Sequence, residues 1–498
     1  MTRKDELKKK TKKVEKTEKK LKRILAYSLK NNHCETALEA IAADAELKYQ
    51  WNQNYVDEEL ENAVEELKEK LSLPKYECKE ASENTILFYD GFGEDTRGLM
   101  LIYVQNLLAI GYHVVYVTVE SAAGNQPELD KISRGQNFVT QYIPYDKKYE
   151  NTIRYIIDVF MRYKPLKAFL YTLPYDVAGI VVFNQFRGIV QRFQINLTDH
   201  AFWLGVNTFD YCIEFRDYGA NISIQYRGID ETKIMMLPYY PYVDYDVPFE
   251  GFPFEADGHK IVFSGGGLYK TIDKQNTFYR VVEKMLEHDL SVIFLYAGQG
   301  DDTELKKLVE KYPDRVYHIQ ERKDLFQIMK RIYFYFNTYP LAGGLMTQYA
   351  VLAGKIPVTL IRKHDNSIDG VLLNQDRIKV QFDSPEKCLE EIYRLLDDKD
   401  YLLNRELMLK NCVLREYEFR ENLKGIVDEN VSKMNYSERM IQIDQFRQGY
   451  RESFDEKMIY KLITRDERGK VTTFFNEFWI KKKVCTLVKL INKLNKRN

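Results

Sequence analysis

Apolar and polar positions follow two alternating rhythms along most of this chain. From Thr85 onward, short apolar runs closed by glycine or polar residues recur, and longer stretches with helical spacing separate them. Short apolar runs are typical of buried strands, and the longer periodic stretches indicate helices. In the first half the predicted strands are Ile86–Tyr89, His113–Val117, Phe138–Ile143, Ala168–Thr172, Phe193–Leu197 and Asp210–Glu214.

A second series of the same kind follows residues 243–258, where proline, glycine and acidic residues cluster and predict a linker. Its predicted strands are Lys260–Phe263, Ser291–Tyr296, Arg315–His318, Tyr333–Phe336, Ile356–Ile361 and Lys379–Phe382. Alternating strands and helices favour a parallel sheet with helices on both faces. The chain is therefore predicted to be an α/β protein with two Rossmann-like lobes that face a cleft.

The two ends of the chain lack this alternation. Residues 4–24 are too polar to bury and predict a solvated helix or a disordered arm, whereas amphipathic spacing in 34–72 predicts a helical cap or an oligomerisation element. The predicted domains are a helical, charged extension (1–82), a first Rossmann-like lobe (83–247), a second Rossmann-like lobe (248–400), a helical return segment (401–449) and a basic amphipathic tail (450–498).

Charge is distributed unevenly, although the formal net charge is zero. Residues 1–24 carry +8 and residues 470–498 carry +7, so the body of the protein is acidic. This arrangement argues against a nucleic-acid-binding core and favours contacts between the ends and anionic surfaces. In particular, the tail predicts a helix that lies on an anionic membrane surface, with docking on the body or on a partner as the alternative.

Cysteine usage and hydropathy indicate the cellular compartment. The six cysteines are scattered without a CxxC pair, so neither a zinc site nor a disulfide framework is predicted. The lysine-rich start does not resemble a signal peptide, and no run of apolar residues is long enough to span a membrane. The protein is expected to be cytoplasmic, and its basic tail predicts a peripheral position on the inner membrane face.

The most informative motif lies where the strand Lys260–Phe263 runs into Gly265, Gly266 and Gly267, followed by Lys270. A helix is predicted over Ile272–Leu286. Glycines let backbone amides approach an anion closely, and a helix N-terminus adds partial positive charge. A phosphorylated ligand is therefore predicted here, with a plain glycine turn and a surface lysine as the alternative. The spacing matches neither a P-loop nor a GxGxxG fingerprint.

Other candidates follow predicted strands. His200 and Asp199 come after Phe193–Leu197, at the strand end where open α/β sheets bind ligands. His200 could act as a base, contact a ligand or cap a helix; Asp199 is a rival base, and Glu214 and Asp217 are weaker ones. In the first lobe Asp90, Gly91 and Gly93 form either an acceptor-side turn or a plain tight turn. Tyr339 could stack on a base or sugar, or lie in the core.

Three stretches resemble nucleotide-sugar glycosyltransferases of GT-B architecture, O-GlcNAc-transferase-type enzymes in particular. The run Leu268–Asp273 resembles a segment whose lysine contacts the nucleotide phosphates, and Lys270 is the matching position. The run Asp199–Gly205 resembles one whose histidine, here His200, lies beside donor and acceptor. The third stretch, with Gly343, Gly344 and Thr347, resembles a glycine–threonine loop that leads into a helix under the diphosphate.

The third stretch also departs from that pattern. The family's histidine is Leu345 here, one of its threonines is Met346, and the acidic residue that commonly holds the ribose is Ala350. Gln348 is the nearest polar substitute for the glutamates typical of many other GT-B enzymes. The resemblance implies UDP as the commonest donor nucleotide, but these positions leave its identity open.

The resemblance implies a metal-independent glycosyltransferase without a cofactor, which moves a sugar from a nucleotide diphosphate to a hydroxyl. Its expected role is cell-surface polysaccharide or glycoconjugate synthesis on a glycan or lipid-linked acceptor; a protein acceptor is the next possibility. The chain could also form a homo-oligomer. Two alternatives stay open: a non-catalytic GT-B protein that binds glycan or stabilises a transferase, and a sugar-nucleotide epimerase.

Overall fold

The computed structural model describes residues 3–74, 82–93, 98–146, 148–362, 368–374 and 378–443, and the single residues 447, 451, 454 and 459. They form two compact units. The first contains the described residues up to Glu214, Gly219–Met235 and those from Arg439 on; the second contains Phe215–Tyr218 and Met236–Glu438. The division falls at Met235/Met236, earlier than the predicted 247/248. Apart from residues 451, 454 and 459, the predicted tail lies outside the described residues.

The N-terminal extension folds as three helices, α1 (Arg3–Lys30), α2 (Cys34–Trp51) and α3 (Glu58–Lys70). The prediction of a solvated helix or disordered arm over residues 4–24 is only partly right. Val14, Leu21 and Ile24 are buried on one face of α1 and join the core of the first unit, while the lysines remain on the outer face. The apolar stripe was too sparse to stand out among the charges.

The first unit is built on a seven-stranded sheet in the order β3-β2-β1-β4-β5-β6-β7. The strands are β1 (Ser82–Asp90), β2 (His113–Val119), β3 (Phe138–Ile143), β4 (Pro165–Tyr171), β5 (Gln191–Ile195), β6 (Tyr211–Glu214) and β7 (Ile234–Met236). The six predicted strands are confirmed, and the pairs from β3 to β6 are parallel. Buried helices cover the strands, which explains the continuous apolar runs. The helices are α4 (Leu99–Ile110), α5 (Pro127–Ser133), α6 (Tyr149–Tyr163), α7 (Val177–Gln185) and α8 (Asp217–Arg227).

The second unit holds a six-stranded parallel sheet in the order β10-β9-β8-β11-β12-β13. Its strands are β8 (Lys260–Gly265), β9 (Val292–Ala297), β10 (Val316–Ile319), β11 (Phe334–Phe336), β12 (Pro357–Leu360) and β13 (Gln381–Phe382). Its helices are α9 (Thr277–His288), α10 (Thr303–Lys311), α11 (Leu325–Met329), α12 (Gly344–Leu352), α13 (Pro385–Asp397), α14 (Lys399–Met408) and α15 (Glu416–Glu429).

The segment predicted to be a linker is instead part of the second unit. Phe249, Phe252 and Phe254 pack against its core, and the Phe254 ring lies 4.6 Å from the ring of Tyr317. The proline and glycine content indicated a break correctly as far as secondary structure is concerned, because no helix or strand forms over residues 243–258. The three aromatic side chains nevertheless anchor the segment.

Strand order places the candidate residues at the carboxyl ends of the strands. In each sheet the order reverses beside the first strand of the series, β1 in one and β8 in the other. Ligand sites of open α/β sheets lie at such switch points. Asp90 ends β1, Gly265 ends β8, and the loop that carries His200 follows β5.

Candidate functional site

His200 lies in the loop after β5, with its imidazole 32% exposed and directly beside a buried carboxylate. Its Nδ1 atom is 3.3 Å from Oδ1 of Asp199, which is fully buried. A carboxylate in this position accepts a hydrogen bond from Nδ1–H, which leaves Nε2 as the nitrogen that can take up a proton. The two residues that the sequence predicted as catalytic therefore form a pair, in which Asp199 orients His200 and is too buried to meet a substrate itself.

Arg227, at the end of α8, holds the backbone of this loop. Its guanidinium donates to the carbonyls of Thr198, Asp199 and Ala201 over 2.7–3.0 Å and lies between the rings of Tyr55 and Trp203. Arginine suits such a place because its planar fork offers several fixed donors and stacks on aromatic rings. This role could not be predicted from the sequence, since Arg227 is distant in the chain and belongs to no motif.

Glu214, one of the weaker predicted bases, is buried below the pair and cannot reach a substrate. Its Oε1 accepts hydrogen bonds from Ser223 (2.5 Å), Asn196 (2.8 Å) and Cys212 (3.4 Å). Burial raises the pKa of Glu214 to about 7, although these hydrogen bonds and Arg227 oppose the shift. Glu214 is therefore a structural support that titrates near neutral pH.

Gly219 lets the two buried carboxyl groups approach the same point. A Cβ atom at this position would lie 2.4 Å from Oε2 of Glu214 and 3.2 Å from Oδ2 of Asp199. Any side chain here would displace one of the two groups. The glycine in α8 is thus explained by close packing beneath the His200 loop.

The predicted acceptor-side turn is tightly bonded within the first unit. The carboxylate of Asp90 is buried and accepts from the amides of Phe92 and Gly93 and from the hydroxyl of Tyr116. Gly93 has φ = +64°, and a Cβ on Gly91 would lie 2.2 Å from the Thr172 hydroxyl oxygen. These contacts fit the plain tight turn that the sequence left open, with an acceptor role for Asp90, Gly91 and Gly93 still a prediction.

A small concavity lies beside this turn and the His200 loop. It is lined at the ends of β4 and β5, and its residues include Thr172, Asn196, Thr198 and Trp203. Within the described part of the chain, Oδ1 of Asn196 and Nε1 of Trp203 are buried without a hydrogen-bond partner. Buried polar atoms normally pair with protein, water or ligand, so these two atoms can still take a hydrogen-bond partner.

In the second unit, the glycine loop after β8 has fewer amides available to an anion than the sequence implied. The amides of Gly266 and Leu268 donate to the carbonyls of Ala297 and Gln299 and are already used. The Lys270 side chain is half-buried, with Cδ 3.8 Å from the place of a Cβ on Gly266. The predicted contribution of Gly266 is therefore close approach, while charge comes from Lys270.

The prediction of a helix from Ile272 is wrong in its start. A short 3₁₀ turn covers Leu268–Thr271, and α9 begins at Thr277. Both carboxylate oxygens of Asp273 bond to Thr277, at 2.7 Å to its amide and 2.7 Å to its hydroxyl. The first amide of α9 is thus bonded to the chain's own carboxylate and is not available to a phosphate.

The third predicted stretch does open a helix, because α12 begins at Gly344 with Gly343 as its N-cap and no side-chain cap. The first amides of such a helix have no partner within it and can bind an anion. Thr347 is buried, and its hydroxyl donates to the Gly343 carbonyl, so it shapes the loop from within. A methyl carbon of Met346 would lie 3.3 Å from a Cβ on Gly265, which places this loop beside the glycine loop.

Asn337 fixes this arrangement and was missed as a site residue. Its Oδ1 accepts from the amides of Thr338 and Gly343, and its Nδ2 donates to Thr347. Tyr339 follows and is half-buried, and the amide of Leu341 donates to the Lys270 carbonyl at 3.3 Å. The candidates Lys270, Tyr339, Gly343 and Gly344 are therefore neighbours. A polar residue directly after a buried strand was the available signal for Asn337.

Neither a metal site nor a membrane-spanning helix is found in the described part of the chain. Among the residues that the structure describes, no three histidine, cysteine, aspartate or glutamate side chains gather in a way that could hold a metal ion. No helix in the same ranges has the length and hydropathy needed to cross a bilayer. Metal independence and attachment to a membrane surface both remain predictions.

Comparison with known proteins identifies the fold. No protein-family model and no curated protein matches the sequence. Among solved structures, a putative UDP-N-acetylglucosamine 2-epimerase from Listeria monocytogenes is similar at TM-score 0.51 and 11% identity, covering 72% of this chain and all of that one. A mutant O-GlcNAc transferase from Thermobaculum terrenum matches at TM-score 0.50 and 12% identity, over 86% of this chain and 81% of that one.

A third solved structure, HepE of Anabaena in complex with UDP and glucose, matches at TM-score 0.50 and 11% identity. The match covers 69% of this chain and 99% of that one. At these identities the likeness concerns architecture. The chain has the GT-B fold, as the two Rossmann-like series predicted, and this fold is shared by transferases and epimerases.

Proposed function

We propose that this protein is a glycosyltransferase that moves a sugar from a nucleotide diphosphate to an acceptor hydroxyl. The observation that carries the proposal is the His200–Asp199 pair, a half-exposed imidazole whose Nδ1 is held by a fully buried carboxylate. Such a pair is the arrangement of a general base. A protein that only binds glycan has no need to orient an imidazole in this way.

In the proposed reaction, Nε2 of His200 takes the proton of the acceptor hydroxyl as its oxygen attacks the anomeric carbon. The bond from that carbon to the diphosphate breaks, and the nucleoside diphosphate leaves with the bonding electrons. The leaving group gains negative charge, so fixed positive groups must stabilise it. We assign this role to Lys270 and to the first amides of α12.

The acceptor is proposed to be a glycan or a lipid-linked sugar in the synthesis of a surface polysaccharide or glycoconjugate. The concavity beside Trp203 is the place to test for a hydroxyl-bearing acceptor, because two residues that line it hold buried polar atoms without a partner. The basic ends of the chain support the proposal that the reaction takes place at an anionic membrane surface, on its cytoplasmic side. A UDP-type donor is the first to test, since the neighbouring fold HepE was solved with UDP and glucose.

The test is a transfer assay with UDP-, GDP- and dTDP-sugars and a membrane extract, read by mass spectrometry. We expect transfer from one donor, and a loss of turnover by about 100- to 10,000-fold in His200→Ala, the range for a general base. Nucleotide affinity should remain close to that of the parent protein. His259→Ala, which changes an exposed histidine in the second unit, is the matched control.

Each alternative has its own outcome in this assay. A sugar isomer formed from the donor alone, without acceptor, identifies an epimerase, for which the Listeria structure is a precedent of the same fold. The absence of turnover together with the absence of nucleotide binding identifies a non-catalytic protein. Unchanged transfer in His200→Ala removes the base from the mechanism.

A further inference from the structure

Three side chains from the N-terminal extension end on the loop that carries His200. Asn52, just after α2, donates through Nδ2 to the His200 carbonyl at 3.0 Å, and the Tyr55 hydroxyl lies 3.4 Å from the same oxygen. Glu61, in α3, accepts from the Gly205 amide at 2.7 Å and also from the two amides that follow. These residues precede the loop by more than a hundred positions in the sequence.

Together with Arg227, these contacts fix the backbone on both sides of His200. The carbonyls of residues 198, 199 and 201 accept from Arg227, and the carbonyl between them accepts from Asn52. Four consecutive peptide groups are therefore held by side chains in a segment without regular secondary structure. The only freedom left to the imidazole is rotation about its own side-chain bonds, and the contact with Asp199 restricts this rotation further.

Burying the polar side chains of this arrangement costs free energy, which indicates that they serve to position the His200 loop. Asn52 is fully buried in the left-handed conformation at φ = +48°, and Glu61 is only 5% exposed. Burial raises the pKa of Glu61 to about 7 even though three amides bond to it. Helix packing alone is served as well by apolar residues, because burying polar groups is expensive. All three side chains nevertheless converge on one loop.

We propose that Asn52, Tyr55 and Glu61 are positioning residues for His200, which makes the N-terminal helices a working part of the acceptor-side site. The inference rests on the proposed function, because it gives His200 a reaction to serve. It replaces the interpretation of these helices as a cap or an oligomerisation element. The helices act through the backbone of residues 198–207 and do not themselves contact the donor or the acceptor.

The first test frees the His200 carbonyl without disturbing the fold. The double variant Asn52→Gly/Tyr55→Phe keeps the positive φ, which glycine adopts freely, and keeps the aromatic ring. We expect faster amide hydrogen exchange in residues 198–207 and altered NMR signals of the His200 ring, with the other histidine signals unchanged. Turnover should fall by about 100-fold, as for a small misplacement of a catalytic group, whereas KM for the donor stays within about twofold.

The second test uses Glu61 and its conservative replacement. Glu61→Ala leaves the loop amides without an acceptor and should lower turnover, whereas Glu61→Gln retains an acceptor oxygen and should restore most of it. Glu66→Ala is the matched control, because Glu66 lies on the same helix but pairs with Lys70 on the surface. Urea unfolding of each variant separates a local effect from a general loss of stability.

Failure of this inference and failure of the proposed function give different results. If no donor is turned over by the parent protein, exchange and NMR still show whether Asn52, Tyr55 and Glu61 hold the loop. If transfer is found but the double variant keeps parental turnover and parental His200 signals, the inference is overturned while the proposed function stands. A variant whose KM for the donor rises in step with the loss of turnover also contradicts it.

Discussion

The candidate residues fall into two halves, one in each unit, and these halves are built in opposite ways. In the first unit, the His200 loop is held by side chains from distant parts of the sequence, such as Asn52 and Arg227. In the second unit, the glycine loop around Lys270 is held by backbone bonds and by glycines that permit close approach. The His200 half is therefore held by buried polar side chains, and the glycine-loop half by main-chain geometry.

The largest effect should come from breaking the side-chain half at Arg227. Arg227→Met leaves several buried carbonyls without donors and removes the cation near Asp199 and Glu214. We expect a loss of about 3–5 kcal/mol in the free energy of unfolding, as for a broken buried ionic contact, measured with urea. Arg420→Met, in a surface pair with Glu416, should cost less than about 1 kcal/mol. Equal costs would mean that Arg227 is not the main support.

The main-chain half should break at Gly298. A Cβ there would lie 2.0 Å from the Gly266 carbonyl oxygen, and φ is +154°. Gly298→Ala should therefore displace the glycine loop and cost about 1–3 kcal/mol of stability, with weaker nucleotide binding by calorimetry. Gly258→Ala is matched for positive φ but has open space around it, so its nucleotide affinity should be unchanged. If Gly298→Ala kept the parental nucleotide affinity, the glycine loop would not be part of the nucleotide site.

The His200 half should also make the stability of the protein depend on pH through Glu214. Burial raises the pKa of Glu214 from its ordinary 4.5 to about 7, so the folded state binds a proton that the unfolded state releases in this range. Stability from this group should therefore fall as pH rises from about 4.5 to about 7, by up to about 1.4 kcal/mol per pH unit.

Glu214→Gln should lessen the slope in urea titrations at several pH values, while the contribution of Glu61, whose pKa is also raised to about 7, remains. Glu287→Gln is the control at an exposed carboxyl, whose pKa is lowered by the Lys284 ion pair, and the slope between pH 5 and 7 should survive there. A parental slope in Glu214→Gln would show that its carboxyl is ionised throughout.

The strands and the fold class could be predicted because buried parallel strands leave continuous apolar runs, as in Val114–Val117. Lys270 and Gly344 could be proposed from the sequence because glycines and lysine act close to their own place in the chain, and their role stays a prediction. The start of α9 at Thr277 could not be predicted in the same way, because it depends on the hydrogen bond that the Thr277 amide donates to Asp273. The support of His200 could not be predicted either, because Asn52 approaches it only through tertiary packing, 148 residues away in the chain.

The central claim is that a cation at the glycine loop of the second unit binds the diphosphate of a nucleotide sugar. Calorimetric titration of UDP, GDP and dTDP into the parent protein and into Lys270→Ala tests it most directly, with the exposed neighbour Lys274→Ala as control. One nucleotide should bind, and Lys270→Ala should lose about 1.5–3 kcal/mol, the range for charge-assisted hydrogen bonds, while Lys274→Ala retains parental affinity. Equal affinity in the parent protein and in Lys270→Ala would contradict the account.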